Sequence, residues 1–339
     1  MNDRSISTLS PHSRLRAVAE LGQQLWLDLS GVGLPDSAGA VEALGALVAD
    51  GIEGVYLDGS PVHSITDVQQ ACDQLARLHR ASLGQAGLVS LPVDSGKAHD
   101  SAALLESARS QWQHIDRANA MLAMPATAAG IAALEQATFE GMNIAMTLVY
   151  SPGQVRAVRA AHRRGLARRL EASLPVHGIA SAVALEVGAL DAAVDAQLAR
   201  SSAASADSVA LRGRAALSVA RLAWQEARND SSFAVFSAFG AAPQRLLWRG
   251  TDSTAPAPRD VRYVEALIGH GSSCAITPAT LEAFRDHGVA LPALETGDIQ
   301  AARAALTQLA HLGIELESLG VSLQQAALLP NRQTLAAAA

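Results

Sequence analysis

The chain has 339 residues and a net charge of −6, with 49% hydrophobic and 17% charged residues. This length suffices for one large domain or two ordinary ones, and the apolar fraction excludes a globally disordered chain. Charge argues against one class of partner. The sequence pI is about 5.9, and no basic stripe alternates with aromatic residues. We therefore expect no nucleic-acid partner.

The sequence contains neither a signal peptide nor a membrane-spanning segment that we can recognise. Residues 1–5 are polar, and the longest uncharged stretch, 120–134, is too short to cross a bilayer. Two cysteines, Cys72 and Cys274, are too few for a disulfide framework or a metal knot. We expect a cytoplasmic protein without a membrane partner, a metal or a cofactor.

Short runs rich in strand-forming residues alternate with longer segments of helical periodicity. This alternation predicts a parallel sheet, and eight repeats favour a closed (β/α)8 barrel over an open sheet. No G-x-G-x-x-G turn follows any strand, which also argues against an open nucleotide-binding fold. The predicted strands are Leu25–Asp28, Gly54–Asp58, Leu88–Leu91, Met121–Met124, Ile144–Tyr150, Gly178–Val183, Arg245–Trp248 and Ser273–Thr277. We predict an N-terminal leader or helix over 1–20, the barrel over 21–320, and a C-terminal tail over 321–339.

In such barrels the functional groups lie at the C-terminal ends of the strands and in the loops that follow. Five predicted strand ends should therefore meet on one rim of the barrel. These ends carry Asp28, Asp58, Ala123, Thr147 and Ser181. The same rule directs attention to the segments 92–97, 181–186 and 249–252.

Several ordered stretches are similar to those of one family. They are Ala19–Gln23 leading into Trp26–Asp28, His99–Asp100, Asp116–Asn119, Met124–Thr127, Gly141–Asn143 with Thr147–Leu148, and Tyr263–Gly269. In this order and spacing, the chain resembles the bacterial transaldolases from about Leu21 to Gly320. The resemblance independently implies an eight-stranded barrel, and it implies carbohydrate chemistry of the pentose phosphate type.

The resembled family depends on a lysine that forms a Schiff base with a ketose, in a fourth-strand motif that reads roughly K-I-P-A-T. An amine suits this reaction because its iminium withdraws electrons from the bond that breaks. Here the motif reads A-M-P-A-T, so Ala123 stands at the lysine position. A methyl group cannot attack a carbonyl, and the resemblance therefore implies a member that has lost this chemistry.

The family's other functional positions are mostly altered as well. The resemblance implies that Asp28, Thr147 and Ser181 are retained. It implies the following replacements: Asp58 for an asparagine, Pro92 for the glutamate that orients a water, Ala145 for an asparagine, Glu186 for a phosphate-binding arginine, and Gly250 and Thr254 for a serine and a basic residue.

Two classes of function remain open. One is a pseudoenzyme that binds a small-molecule metabolite or a protein partner, such as an active paralogue. The other is an enzyme of altered, non-lysine chemistry in the same pocket. The candidate binding residues in either case are Asp28, Asp58, Thr147, Ser181, Glu186 and Arg249.

The sequence offers two substitutes for the lost groups. Lys97, the chain's single lysine, follows the third strand, but beside Asp94 and Asp100 it is expected to be an ordinary solvated side chain. An acidic cluster at the strand ends could instead hold Mg²⁺ or an amine, although the sequence does not bring its members within reach of one ion. Its members would be Asp28, Asp58, Glu186 and Asp252.

Overall fold

The computed structural model describes residues 11–30, 44–57, 64–200, 206–252 and 260–329. Asp58 and Thr254, two of the predicted site positions, lie outside these ranges. None of the described helices combines the length and the apolar character needed to cross a membrane.

Eight parallel strands close into a barrel in which each strand pairs with the next and β8 pairs with β1. The predicted (β/α)8 fold is therefore confirmed. The strands are β1 Gln24–Asp28, β2 Ile52–Tyr56, β3 Leu88–Pro92, β4 Ala120–Pro125, β5 Ile144–Val149, β6 Ser181–Glu186, β7 Arg245–Arg249 and β8 Ser272–Ile276.

Helices follow the strands around the outside of the barrel, and several more extend the chain at both ends. They are α1 Pro11–Glu20, α2 Ile65–Ala81, α3 Ser101–Ile115, α4 Ala128–Glu140, α5 Pro152–Glu171, α6 Val187–Arg200, α7 Ala206–Leu211, α8 Ala215–Arg228, α9 Ala234–Ala238, α10 Arg262–Ala266, α11 Pro278–His287, α12 Ala293–Thr296, α13 Ile299–His311 and α14 Leu316–Leu328. Residues 44–49 are also helical.

The sixth strand begins three residues later than the sequence predicted. Gly178 has a φ of +77°, a conformation typical of a turn rather than a strand. The backbone amide of Ala180 donates a hydrogen bond to the side-chain Oδ1 of Asn143 at 2.8 Å, and the regular ladder begins only at Ser181. This shift decides which end of the barrel each residue of β6 occupies.

The side chains that fill the barrel interior differ greatly in size. A buried cluster contains many alanines, and two aromatic side chains, Trp26 and Tyr56, supply much of its volume. The Trp26 indole packs directly over the backbone of β2, so that a Cβ atom on Gly54 would lie 2.5 Å from the ring. The remaining members of the cluster are Leu88, Met121, Ala123, Ala145, Ala180, Ala182, Ala184, Leu247 and Ala275.

Strand β7 shows how alternation directs side chains to the two layers. Leu246 and Trp248 belong to the outer core between barrel and helices, whereas Leu247 belongs to the interior cluster. Since alternate residues of a strand share a face, Arg245 and Arg249 also face inward. They lie at opposite ends of the barrel.

The two terminal helices are both packed against the barrel. Helix α1 contacts α11, and α14 contacts β5, α5 and α6. Gln324, on α14, donates a hydrogen bond to the carbonyl of Leu148 at 3.1 Å. Helix α14 thus continues past residue 320, where the sequence indicated the start of a tail.

The packing of Trp26 over β2 generates a stability prediction. We expect Gly54→Ala to lower the free energy of unfolding by about 1–3 kcal/mol, because the added methyl group overlaps the indole. Urea denaturation measures the change. Gly45→Ala is the control, since among the described residues a Cβ there approaches only the Gln74 side chain, at 4.0 Å. Its effect should stay within about 1 kcal/mol. Equal stability of both variants would contradict the described packing.

Candidate functional site

A buried guanidinium occupies the C-terminal end of the barrel. Arg249, the last residue of β7, donates to Asp28 Oδ2 through Nη2 at 2.9 Å and through Nε at 3.2 Å. Its Nη1 donates to Glu186 Oε1 at 3.1 Å. The side chain of Arg249 is 13% exposed, and those of Asp28 and Glu186 are 8% and 13% exposed. Water therefore screens this ion-pair network only weakly.

The flat face of the same guanidinium lies over an aromatic ring. Arg249 Cζ is 3.8 Å from the centroid of the Tyr56 ring, within the range of a cation–π contact. Ser30 contributes at the edge, where its backbone amide donates to Asp28 Oδ1 at 2.9 Å. Strands β1, β2, β6 and β7 are thus joined at their C-terminal ends by one side chain.

The charges in this network are unequal, because two carboxylates share one cation. Burial opposes the charged form of Arg249, but the neighbouring Tyr56, Glu186 and Asp28 outweigh it and raise the arginine pKa. Burial raises the pKa of Glu186, and the negative charge of Asp28 adds to the increase despite the attraction of Arg249. Burial and the charge of Glu186 likewise raise the pKa of Tyr150. The Glu186 carboxyl therefore takes up a proton more readily than a solvent-exposed glutamate does.

The end of β5 has a strained backbone beside this network. Leu148 has a φ of +57°, which is costly for a residue with a branched side chain. Its amide is hydrogen-bonded to Glu186, and its carbonyl accepts from Gln324 of α14. The preceding Thr147 is buried and donates its hydroxyl proton to the carbonyl of Met124 at 3.2 Å. The surrounding contacts hold Leu148 in its strained conformation.

Three positions that the resemblance marks as chemically important form an apolar patch. Pro92 pairs with Ala123 across β3 and β4, and Ala123 pairs with Ala145 across β4 and β5. Ala123 and Ala145 are buried in the interior cluster with Tyr56. None of the three side chains can donate or accept a proton.

The prediction that Ser181 opens on this rim is wrong. Ser181 is the first residue of β6 and pairs with Ile144, the first residue of β5, so it lies at the N-terminal end of the barrel. Its hydroxyl donates to the Ile144 carbonyl at 3.0 Å and accepts from Gln244 at 2.8 Å. The cause is the three-residue shift of β6, which places Glu186 instead at the C-terminal end.

The remaining candidates have separate environments. Lys97 has a 43% exposed side chain, and its Nζ lies 3.7 Å from Asp94 Oδ2. Asp252 accepts from Thr277 Oγ1 at 2.6 Å and also from the Thr280 hydroxyl at the start of α11. In the described part of the chain, no three His, Cys, Asp or Glu side chains are grouped as metal ligands would be.

Sequence reasoning missed several participants in the site. Tyr56 lay within a predicted strand, and its polar tip near a strand end was the available signal. Leu148 and Gln324 carried no signal, because the strained backbone and the bond from a distant helix arise only when the chain folds. The convergence of Arg249 with Asp28 and Glu186 was also not predicted, although all three were candidates.

The chain is similar to known transaldolases over most of its length. A family model described as Transaldolase/Fructose-6-phosphate aldolase matches residues 62–330. A transaldolase of Thiobacillus denitrificans is 35% identical, covering 91% of this chain and 94% of that protein. One from Neisseria gonorrhoeae is 34% identical, covering 92% and 94%. Transaldolase 1 of Streptomyces coelicolor is 36% identical, covering 76% and 68%.

The raised pKa of Glu186 generates a prediction about pH. A group whose folded pKa lies above its unfolded value binds extra protons in the folded state, so its contribution to stability falls as pH rises between the two values. We expect the stability of the unsubstituted protein, minus that of Glu186→Gln, to be constant below pH 4.5 and to decrease above it. Urea unfolding at a series of pH values measures this difference. A difference that rises as the pH increases toward 4.5 and is constant above it would mean that Arg249 lowers the pKa instead.

Proposed function

Because the chain belongs to the transaldolase family, we propose that it is a member without Schiff-base dihydroxyacetone transfer. In this proposal it binds a metabolite or a protein partner. The observation that carries the proposal is the pairing of Asp28 with Arg249 at 2.9 Å beside the apolar position Ala123. The family's lysine position holds a methyl group, and its retained aspartate is engaged by a buried cation.

A substitute amine is hard to supply from the rest of the chain. Schiff-base chemistry at neutral pH uses a lysine whose burial or charged neighbours favour the free amine. The side chain of Lys97 is 43% exposed and its Nζ lies 3.7 Å from Asp94 Oδ2, so the amine is not desolvated. Lys97 therefore lacks the environment that an iminium-forming lysine requires.

Proton transfer would also have to be rebuilt. A general acid–base group must lie within hydrogen-bonding distance of the reacting atoms. Around Ala123, the cross-strand neighbours Pro92 and Ala145 offer no such group. Thr147 is the retained polar neighbour on β5, and its proton is directed at the Met124 carbonyl. Restoring the amine alone would leave it without partners.

Sugar phosphates are poorly matched to this rim. The described network contains two carboxylates and one guanidinium, and Arg249 already contacts both carboxylates. A phosphate dianion would have to displace at least one of them and would be repelled by the other. We infer that the ligand, if it is a metabolite, is not a simple ketose phosphate.

One observation favours an alternative function. Burial raises the pKa of Glu186, which lies against the strained Leu148 and near Tyr150. Raised carboxyl pKa values and local strain recur at catalytic sites. In that case the protein is an enzyme that uses Glu186 as a proton donor instead of a lysine. The Glu186→Gln variant distinguishes the two functions. It changes a measurable turnover if the protein is an altered enzyme, and it does not if the protein is a partner subunit.

The loss of the amine generates a direct test. We expect the protein to keep its intact mass after incubation with fructose 6-phosphate and borohydride, because borohydride traps only an iminium. Intact mass spectrometry measures the adduct. A family member with the strand-four lysine is the positive control. An adduct that peptide mapping assigns to Lys97 would contradict the proposal.

The same assay can be extended with one variant. We expect Ala123→Lys to have no measurable transfer of dihydroxyacetone to an aldose phosphate, since Pro92 and Ala145 supply no proton-transfer partner. Ala123→Met is the control for the added bulk. Transfer activity in the lysine variant would show that the rest of the catalytic apparatus is intact.

Phosphate affinity is tested separately. We expect isothermal titration calorimetry with fructose 6-phosphate to show no binding in the low millimolar range, for the electrostatic reason given above. The Arg249→Met variant is the matched comparison. Binding to the unsubstituted protein that disappears in Arg249→Met would show that Arg249 exchanges its carboxylates for a phosphate.

A further inference from the structure

A cavity of about 480 Å³ lies at the other end of the barrel. Its floor is formed where β7 and β8 begin, by Gln244, Arg245 and Gly271, and its walls come from α5, α8 and the segment around α9. In barrels of this class the N-terminal end is ordinarily the structural end. A volume of this size nevertheless falls in the range of small-molecule sites.

The walls combine apolar rings with guanidinium groups. Trp224 and Phe233 supply the rings, and both are mostly buried. Arg159, Arg228 and Arg245 supply the positive charges. Arg228 Cζ lies 4.9 Å from the Trp224 ring centroid, so charge and aromatic surface adjoin one another. Such a wall suits a ligand that has both an apolar body and an anionic end.

Two lining side chains carry buried polar atoms without a hydrogen-bond partner among the described residues. They are Nε of Arg245 and Oε1 of Gln244. The other end of the Gln244 amide is engaged, because its Nε2 donates to Ser181 at 2.8 Å. Burial lowers the pKa of Arg245, against the attraction of Glu53. Buried unpaired groups of this kind are rare in folded proteins and costly, so each indicates a missing partner.

The acidic groups near the cavity do not supply the missing partner. Asp230 accepts from Arg159 at 3.2 Å and from Arg163 at 2.6 Å, so one carboxylate serves two guanidiniums. Glu295 lies 3.8 Å from Arg228. Burial raises the pKa of Glu53, against the opposing attraction of Arg245. The residues that line the cavity include three arginines and one acid, Asp230, so positive charge is in excess there.

We propose that this cavity is a binding site for a small organic anion with a planar apolar body, such as an aromatic carboxylate or phosphate ester. The anionic group pairs with Arg245, and the apolar body lies against Trp224 and Phe233. The side-chain Oε1 of Gln244 accepts a hydrogen bond from a hydroxyl or amide of the ligand. The site is separate from the Arg249 network, so it stands or falls independently of the proposed loss of Schiff-base chemistry.

The test uses calorimetry with four probes on the full chain. Phenyl phosphate and benzoate carry both the ring and the charge, inorganic phosphate carries only the charge, and phenol carries only the ring. We expect phenyl phosphate or benzoate to bind at least about tenfold more tightly than inorganic phosphate and phenol. The stronger of the two identifies the preferred anionic group. No binding of either compound in the low millimolar range would overturn the proposal.

Three variants locate the binding on the molecule. Arg245→Met should raise the dissociation constant at least about tenfold, because it removes the guanidinium whose Nε has no partner. Ala234→Trp should abolish binding because the indole fills the cavity. Ala234 is an exposed lining residue, so this variant replaces no buried side chain. Arg164→Met is the matched control, since Arg164 pairs with Glu135 away from the cavity. Binding that survives Ala234→Trp, or that falls equally in Arg164→Met, would overturn the proposal.

Discussion

The C-terminal rim depends on a single constraint, the burial of the Arg249 guanidinium. A buried cation is tolerated only when carboxylates and hydrogen bonds compensate its lost hydration. Asp28 at the end of β1 and Glu186 at the end of β6 provide that compensation, and the Tyr56 ring covers one face of the guanidinium. Removal of one carboxylate from such a group commonly costs about 3–5 kcal/mol. The three strand ends are therefore held in fixed relative positions by charge as well as by the ladder.

This constraint accounts for the pattern of replacements around it. A lysine at position 123 would project into the interior cluster that contains Tyr56, close to an arginine that already shares two carboxylates. Two cations and two buried anions could be paired in other ways, but the Asp28 geometry would change. An alanine at 123 and an inward arginine at 249 are thus mutually consistent.

Much of the fold was predictable from the sequence because strand composition and the strand–helix alternation are local signals. All eight predicted strands are present, and β1 pairs with β8 as a closed barrel requires. Ser181 was misplaced because the start of β6 depends on the turn at Gly178 and on the amide of Asn143. The pairing of Arg249 was not predictable, since it joins residues more than two hundred positions apart. Only barrel closure brings these residues together.

Strand β7 carries an arginine at each end of its inward face, and the two arginines lie in different environments. Arg249 has two carboxylates and an aromatic ring, whereas Arg245 keeps a buried Nε without a partner among the described residues. A barrel that needed only a stable N-terminal end would be better served by an apolar residue at 245, because a buried guanidinium whose Nε has no partner opposes folding. Its presence beside a cavity of about 480 Å³ is explained if that cavity is filled by an anion when the protein functions. At the described C-terminal rim the arginine of β7 is paired by the chain's own carboxylates, whereas at the N-terminal end the arginine of β7 is available to a ligand.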